Sequence, residues 1–191
     1  MLGTTTGASN LAVGTSAMQS NTTGASNTAV GGNSTMFANT TGGDNVALGV
    51  AALSANTTGN GNTAIGHRAL IANTTANYNT AIGRDALCSV AGAGNENVSV
   101  GYISGCCITT GDNNVTLGYR AGRDLTTGNC NILIGPSVNI DAGDTNNSIA
   151  MGYDVVSINN AVTFGNASTD SRIAFGATSI SAPSDLRLKE D

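Results

Sequence analysis

The sequence predicts an all-β fold, a parallel β-solenoid (β-roll or β-helix) wound in coils of about 17 residues. Three observations lead there. The pentapeptide Asn-x-Ala-(Val/Leu/Ile)-Gly recurs with closing glycines at Gly14, Gly31, Gly49, Gly66, Gly83, Gly101, Gly118 and Gly135, always 17 or 18 residues apart. A fixed period of this size marks a stacked, quasi-one-dimensional fold. The composition, with 26 Gly, no Trp and 10% charged residues, departs from the roughly 25% charge of an ordinary globule and suits many thin layers. Finally, residues alternate within each pentapeptide with the period of a strand.

That alternation assigns two faces. One carries the residue after Asn (Leu11, Thr28, Val46, Thr63, Thr80, Val98, Val115, Ile132) and the aliphatic before Gly (Val13, Val30, Leu48, Ile65, Ile82, Val100, Leu117, Ile134). Hydrophobicity predicts that these columns form the dry core. The opposite face carries Asn and a small residue, Ala12, Ala29, Ala47, Ala64 and Ala81, drifting to Ser99, Thr116 and Leu133. A small, mostly apolar column predicts close approach by a partner chain on that side.

After the glycine, Leu53, Leu70 and Leu87 share a column and predict a second short strand returning to the core. The stretches Asn-Thr-Thr-Gly at 21–24, 39–42 and 56–59, with Asn-Thr-Thr-Ala at 73–76, read as turns whose Asn and Gly accept positive φ. Asn27, Asn45, Asn62, Asn79, Asn97, Asn114 and Asn131 recur in one phase and are expected to form structural amide ladders between coils.

Residues with reactive side chains are few. Cys88, Cys106, Cys107 and Cys130 lack the paired spacing of a zinc site, and His67 stands in another phase, so no metal is expected. Cys88 and Cys106 each lie five residues past a repeat glycine and should stack one coil apart, a separation that fits either free thiols or a disulfide. Tyr102, Tyr119 and Tyr153 each follow a repeat glycine and should line one edge, as a self-packing ladder or as a contact for sugar rings. A net charge of -5 gives no basic footprint for nucleic acid. No apolar run approaches the roughly 20 residues that span a bilayer. No catalytic triad, carboxylate pair in a cleft or phosphate loop can be assembled, so neither an enzyme nor a cofactor is expected.

The period breaks down after Gly152: the next closing glycines, Gly165 and Gly176, come after 13 and 11 residues, and Phe164 and Phe175 replace the aliphatic. This divides the chain into a repeat shaft or head (1–152), a tighter neck (153–183) and a charged tail (184–191).

The repeat Asn62-Thr-Ala-Ile-Gly-His-Arg-Ala-Leu70 resembles the head repeats of trimeric autotransporter adhesins, with a period about three residues longer. That resemblance implies a homotrimer of parallel β-rolls. The tail Ser184-Asp185-Leu186-Arg187-Leu188-Lys189-Glu190 resembles the junction that opens the endosialidase-type intramolecular chaperone of phage tail spikes and fibres. It implies a scissile bond between Ser184 and Asp185, with Ser184 as nucleophile and Lys189 as its activating base. Because the chain ends at Asp191, the chaperone body that would desolvate Lys189 is missing and no self-cleavage is expected.

Together these readings lead to an expected function: a segment of a trimeric tail fibre or surface adhesin, carried on a virion or cell surface, that projects a shaft and contacts a host glycan or protein. An ice- or surface-binding solenoid, prompted by the Thr-Thr columns, is the alternative, and a fragment of a glycan-degrading tailspike ranks below it. Near-identical coils are prone to slip against one another, so a parallel assembly needs something to align its chains.

Overall fold

The computed structural model describes residues 6–176. Within them the chain is all-β and helix-free, a parallel β-solenoid of about nine turns. Eight three-residue strands come first: β1 (Leu11–Val13), β2 (Thr28–Val30), β3 (Val46–Leu48), β4 (Thr63–Ile65), β5 (Thr80–Ile82), β6 (Val98–Val100), β7 (Val115–Leu117) and β8 (Ile132–Ile134). Then follow β9 (Asn139–Ile140), β10 (Ile149–Tyr153), β11 (Val156–Ser157), β12 (Ala161–Asn166) and β13 (Thr169–Ala174). An eleven-stranded sheet runs β1 to β8, then β10, β12 and β13, while β9 pairs with β11 in a second sheet. Pairing is parallel and in phase, Ala47 beside Ala64 and Ala64 beside Ala81. Only the last pair, β12 with β13, is antiparallel.

The two faces of the strand are the reverse of the expected ones. Ala29, Ala47, Ala64, Ala81, Ser99, Thr116 and Leu133 are buried inside the coil, as is the Asn column. The aliphatic columns point outward, with Leu11 and Val13 about half exposed and Leu48, Ile82, Val98 and Leu117 in the same range. A 17-residue coil is too thin to hold large side chains from both walls. Its interior is filled from the turn wall by Met18, Met36, Leu53, Leu70 and Leu87, all fully buried, so the strand facing them has room only for alanine.

The later coils show the same constraint in mirror image. As the strand residue grows from Ala81 to Ser99 and Thr116, the turn residue falls from Leu87 to Gly105 and Gly122. A Cβ on Gly105 would lie 2.4 Å from the Ser99 hydroxyl, and one on Gly122 would lie 2.6 Å from Thr116 Cγ2. Interior volume is conserved coil by coil, as close packing requires.

Leu53, Leu70 and Leu87 are buried as expected but lie in turns with φ of 53°, 51° and 48°, not in a strand. A second strand forms only in the last coils, as β9 and β11. The Asn-Thr-Thr-Gly stretches also work differently from the expectation. Asn39, Asn56 and Asn73 are buried, and each donates from Nδ2 to the Oδ1 of the Asn one coil back at 2.8 Å. The glycines that follow Asn39 and Asn56 are needed for space rather than for positive φ: a Cβ on Gly42 would sit 2.4 Å from the Gly59 carbonyl oxygen. The ladder ends where Val90 takes the Asn position, which leaves Asn73 Oδ1 buried without a donor.

The pentapeptide Asn column forms a second buried ladder. Each Oδ1 accepts the backbone N–H of the next Asn, as from Asn62 to Asn45 at 2.9 Å and from Asn114 to Asn97 at 3.0 Å. Most of the Nδ2 groups donate to a carbonyl of the next coil, for example Asn45 to Gly59 at 2.8 Å, while that of Asn79 is buried without an acceptor. These amides satisfy backbone groups that the three-residue strands cannot reach.

In the segment expected as a neck, residues 153–176 comprise the last residue of β10 and strands β11, β12 and β13. The antiparallel β13 covers the free edge of β12, with Val162 opposite Ile173. Ser184 and Lys189 lie outside the described residues.

Candidate functional site: the outward aliphatic face and its two edges

Because the interior takes only the small column, the strand's larger residues form a continuous outward stripe. It runs along β1 to β8 and continues through Ile149 and Met151 of β10 to Val162 and Phe164 of β12. Ten rungs of two columns present on the order of 1,000 Å² of apolar surface, above the ~300–600 Å² of the largest patch on a typical monomer. A stable interface takes about 800 Å² from each partner. The stripe is the most prominent unpartnered surface among the described residues.

Alternation brackets this stripe with two edges. On the side where the chain enters each strand, the residue before the buried Asn adopts left-handed φ, at Asp44, Tyr78, Glu96 and Asn113 among others (58° to 59°). Just before it runs a third ladder, in which the Asn60 N–H donates to Asn77 Oδ1, Asn77 to Asn95 and Asn95 to Asp112 at 2.8, 2.8 and 2.6 Å. A groove of about 350 Å³ opens on this edge, lined by Asn77, Tyr78, Asn95, Glu96, Asp112 and Asn113.

The exit edge follows the repeat glycine. Here Tyr102 and Tyr119 stack with ring centroids 5.7 Å apart and planes 19° apart. The Arg84 guanidinium lies 5.7 Å from the Tyr102 centroid and that of Arg120 lies 5.9 Å from Tyr119, so the column alternates cation, ring, ring, cation. Tyr153 does not join it, because Pro136 occupies the intervening rung. Asp85 sits 3.2 Å from both Arg68 and Arg84. His67 is exposed on the same edge.

Cys88 and Cys106 stack one coil apart as free thiols, and Cys88 Sγ donates to the Cys106 carbonyl at 3.4 Å. Cys106 and Cys107 bring their sulfurs to 3.6 Å. The neighbouring Cys106 thiol holds the Cys88 pKa down to about 6 against the opposing effect of burial. The same pairing, with burial, pushes Cys106 up. Since the thiolate is the nucleophile, iodoacetamide at pH 7 should label Cys88 well before Cys106, as read by peptide mass spectrometry. Equal labelling rates would contradict the assignment.

No group of three or more His, Cys, Asp or Glu among the described residues is placed to hold a metal ion. In the Thr-Thr turns, the first hydroxyl is committed within the stack, Thr40 Oγ1 to the Thr57 carbonyl and Thr57 Oγ1 to that of Thr74, each at 3.0 Å. Sequence reasoning missed the outward stripe and the Tyr78 groove. The signal for the stripe was the reciprocal drift of Ala81, Ser99 and Thr116 against Leu87, Gly105 and Gly122, since only facing residues compensate in size.

Fold and surface define the class: a repeat protein of the parallel β-solenoid type with one long apolar side. No protein-family model matches the chain, and no curated protein or solved structure was found similar to it.

Proposed function

We propose that this chain is a segment of a homotrimeric β-solenoid fibre, a tail fibre or surface adhesin whose work is mechanical and adhesive. The observation that carries the reading is the outward stripe from Leu11 to Phe164. An apolar surface of this length is costly in water and is removed when copies stand side by side with parallel axes. Rungs stacked at one pitch let the stripe of one copy run beside that of another along its whole length. The resemblance of the repeat to trimeric adhesin heads supports three chains, and that of the Ser184-Asp185 tail to a fibre chaperone junction supports a virion fibre.

Light scattering on the purified protein should return three times the chain mass of 18.9 kDa. A clean monomer at micromolar concentration would sink the trimer. Binding of the trimer on a glycan array would mark it as an adhesive tip, and no binding would leave it a shaft.

A further inference from the structure

We infer that neighbouring copies meet edge to edge, the groove on the entry edge of one receiving the Arg84–Tyr102–Tyr119–Arg120 column of the next. The inference rests on the proposed side-by-side assembly and names the contact that gives it direction.

Charge is the first argument. Between residues 6 and 122 the acidic residues are Asp44, Asp85, Glu96 and Asp112, and the arginines are Arg68, Arg84 and Arg120. Every arginine stands on the exit edge, and every acid except Asp85 on the entry edge. Asp85 is already held between Arg68 and Arg84 at 3.2 Å, which leaves the exit edge positive and the entry edge negative.

Height is the second. The groove spans the rungs entering β5, β6 and β7, through Tyr78, Glu96 and the pair Asp112 and Asn113. Those same three rungs leave their strands at Arg84, at Tyr102, and at Tyr119 with Arg120. Parallel copies in register therefore place Arg120 level with Asp112, and Arg84 level with Tyr78 and one rung, about 4.8 Å, from Glu96.

Unmet polar capacity is the third. Arg120 Nε is buried without an acceptor among the described residues, and the groove is lined by carboxylates and amides with no cation among them. Asp112 also breaks its ladder. Asn95 Nδ2 donates to Asp112 Oδ1 at 3.4 Å, but the Asp112 carboxylate has no N–H to pass on to Asn129, as Asn129 passes one to Asn146 at 3.2 Å. An arginine in the groove supplies the missing donors and pairs with both carboxylates.

An edge that meets a different edge is a heterologous contact, which gives a ring of parallel chains when the rotation between copies closes and does not build an antiparallel pair. Opposite charge on the two edges also steers the copies into that orientation.

The test is a charge swap within one chain. Glu96→Arg and Arg84→Glu should each weaken the trimer at least tenfold by concentration-dependent light scattering, and the double variant should recover most of the loss, because the opposite charges of that one-rung pair are then exchanged and not lost. Asp112→Asn, which continues the amide ladder and preserves the fold, should also weaken assembly. A trimer that tolerates both single reversals, or a double variant no better than the singles, would overturn the edge contact and leave the trimer standing. A wild-type monomer would remove the side-by-side reading itself, and the edge contact with it.

Discussion

Replacing Gly101 by valine is expected to break the solenoid in two. Gly101 has φ of 134°, outside the left-handed well that Leu53, Leu70 and Leu87 occupy near 50°. Side chains tolerate that well at a cost of about 1–2 kcal/mol. They do not tolerate 134°, a region left to glycine. Space is equally closed, since a Cβ on Gly101 would lie 2.4 Å from the Gly118 carbonyl oxygen and 2.7 Å from its carbon, both backbone atoms of the next coil. The substitution therefore pushes β6 from β7, and the loss should exceed about 4 kcal/mol, at the extreme of single-site effects. In a solenoid each coil contacts only its neighbours, so the damage separates two blocks instead of weakening the whole. Denaturation followed by circular dichroism should change from one transition to two, with the lower one well below wild type. A single unshifted transition would show that the coils are not stacked through these glycines.

The second large effect separates inside from outside. Ile82→Lys with Leu117→Lys places two charges on the outward stripe, and the expected product is a folded monomer. Each position loses an apolar contact worth about 1.5–3 kcal/mol when fully buried and adds an ammonium that costs several more to desolvate. Assembly should weaken more than a hundredfold, while the β-sheet spectrum and the denaturation midpoint at low concentration stay near those of an isolated wild-type chain. Ala81→Lys, one residue before Ile82 and fully buried, is the contrast: it should unfold its coil. Were Ala81→Lys benign and Ile82→Lys unfolding, the strand would face the other way and the stripe would be its core.

The error over the two faces has a physical origin. A rule that puts the larger aliphatics inside assumes a core thick enough to hold them. Here the thickness is set by the turn wall, where Leu70 is buried in one cluster with Ala64 and Ala81. Both residues stand in the repeat, but single-column hydrophobicity does not say that they oppose each other. The left-handed Leu70 and Arg68 were equally hidden, since a non-glycine residue with positive φ is held there by stacking on its neighbours and leaves no mark in composition. The edges were half legible. Tyr102 and Tyr119 share a phase and do stack, whereas Tyr153 shares the phase but is isolated by Pro136. The groove combines two adjacent phases over three coils, one an Asn column interrupted at Asp112 and the other, Tyr78, Glu96 and Asn113, with no repeated residue type.

Sequence by itself determined the period, the parallel stacking and the rungs that pair, because a 17-residue repeat closed by glycine brings each residue back beside its own counterpart. The amide ladders followed from the same periodicity. Tertiary structure alone decided which side of the strand is interior, because that depends on the volume left by residues on the opposite wall. By turning the aliphatics outward, it also made an exposed apolar stripe of what the sequence presented as a core.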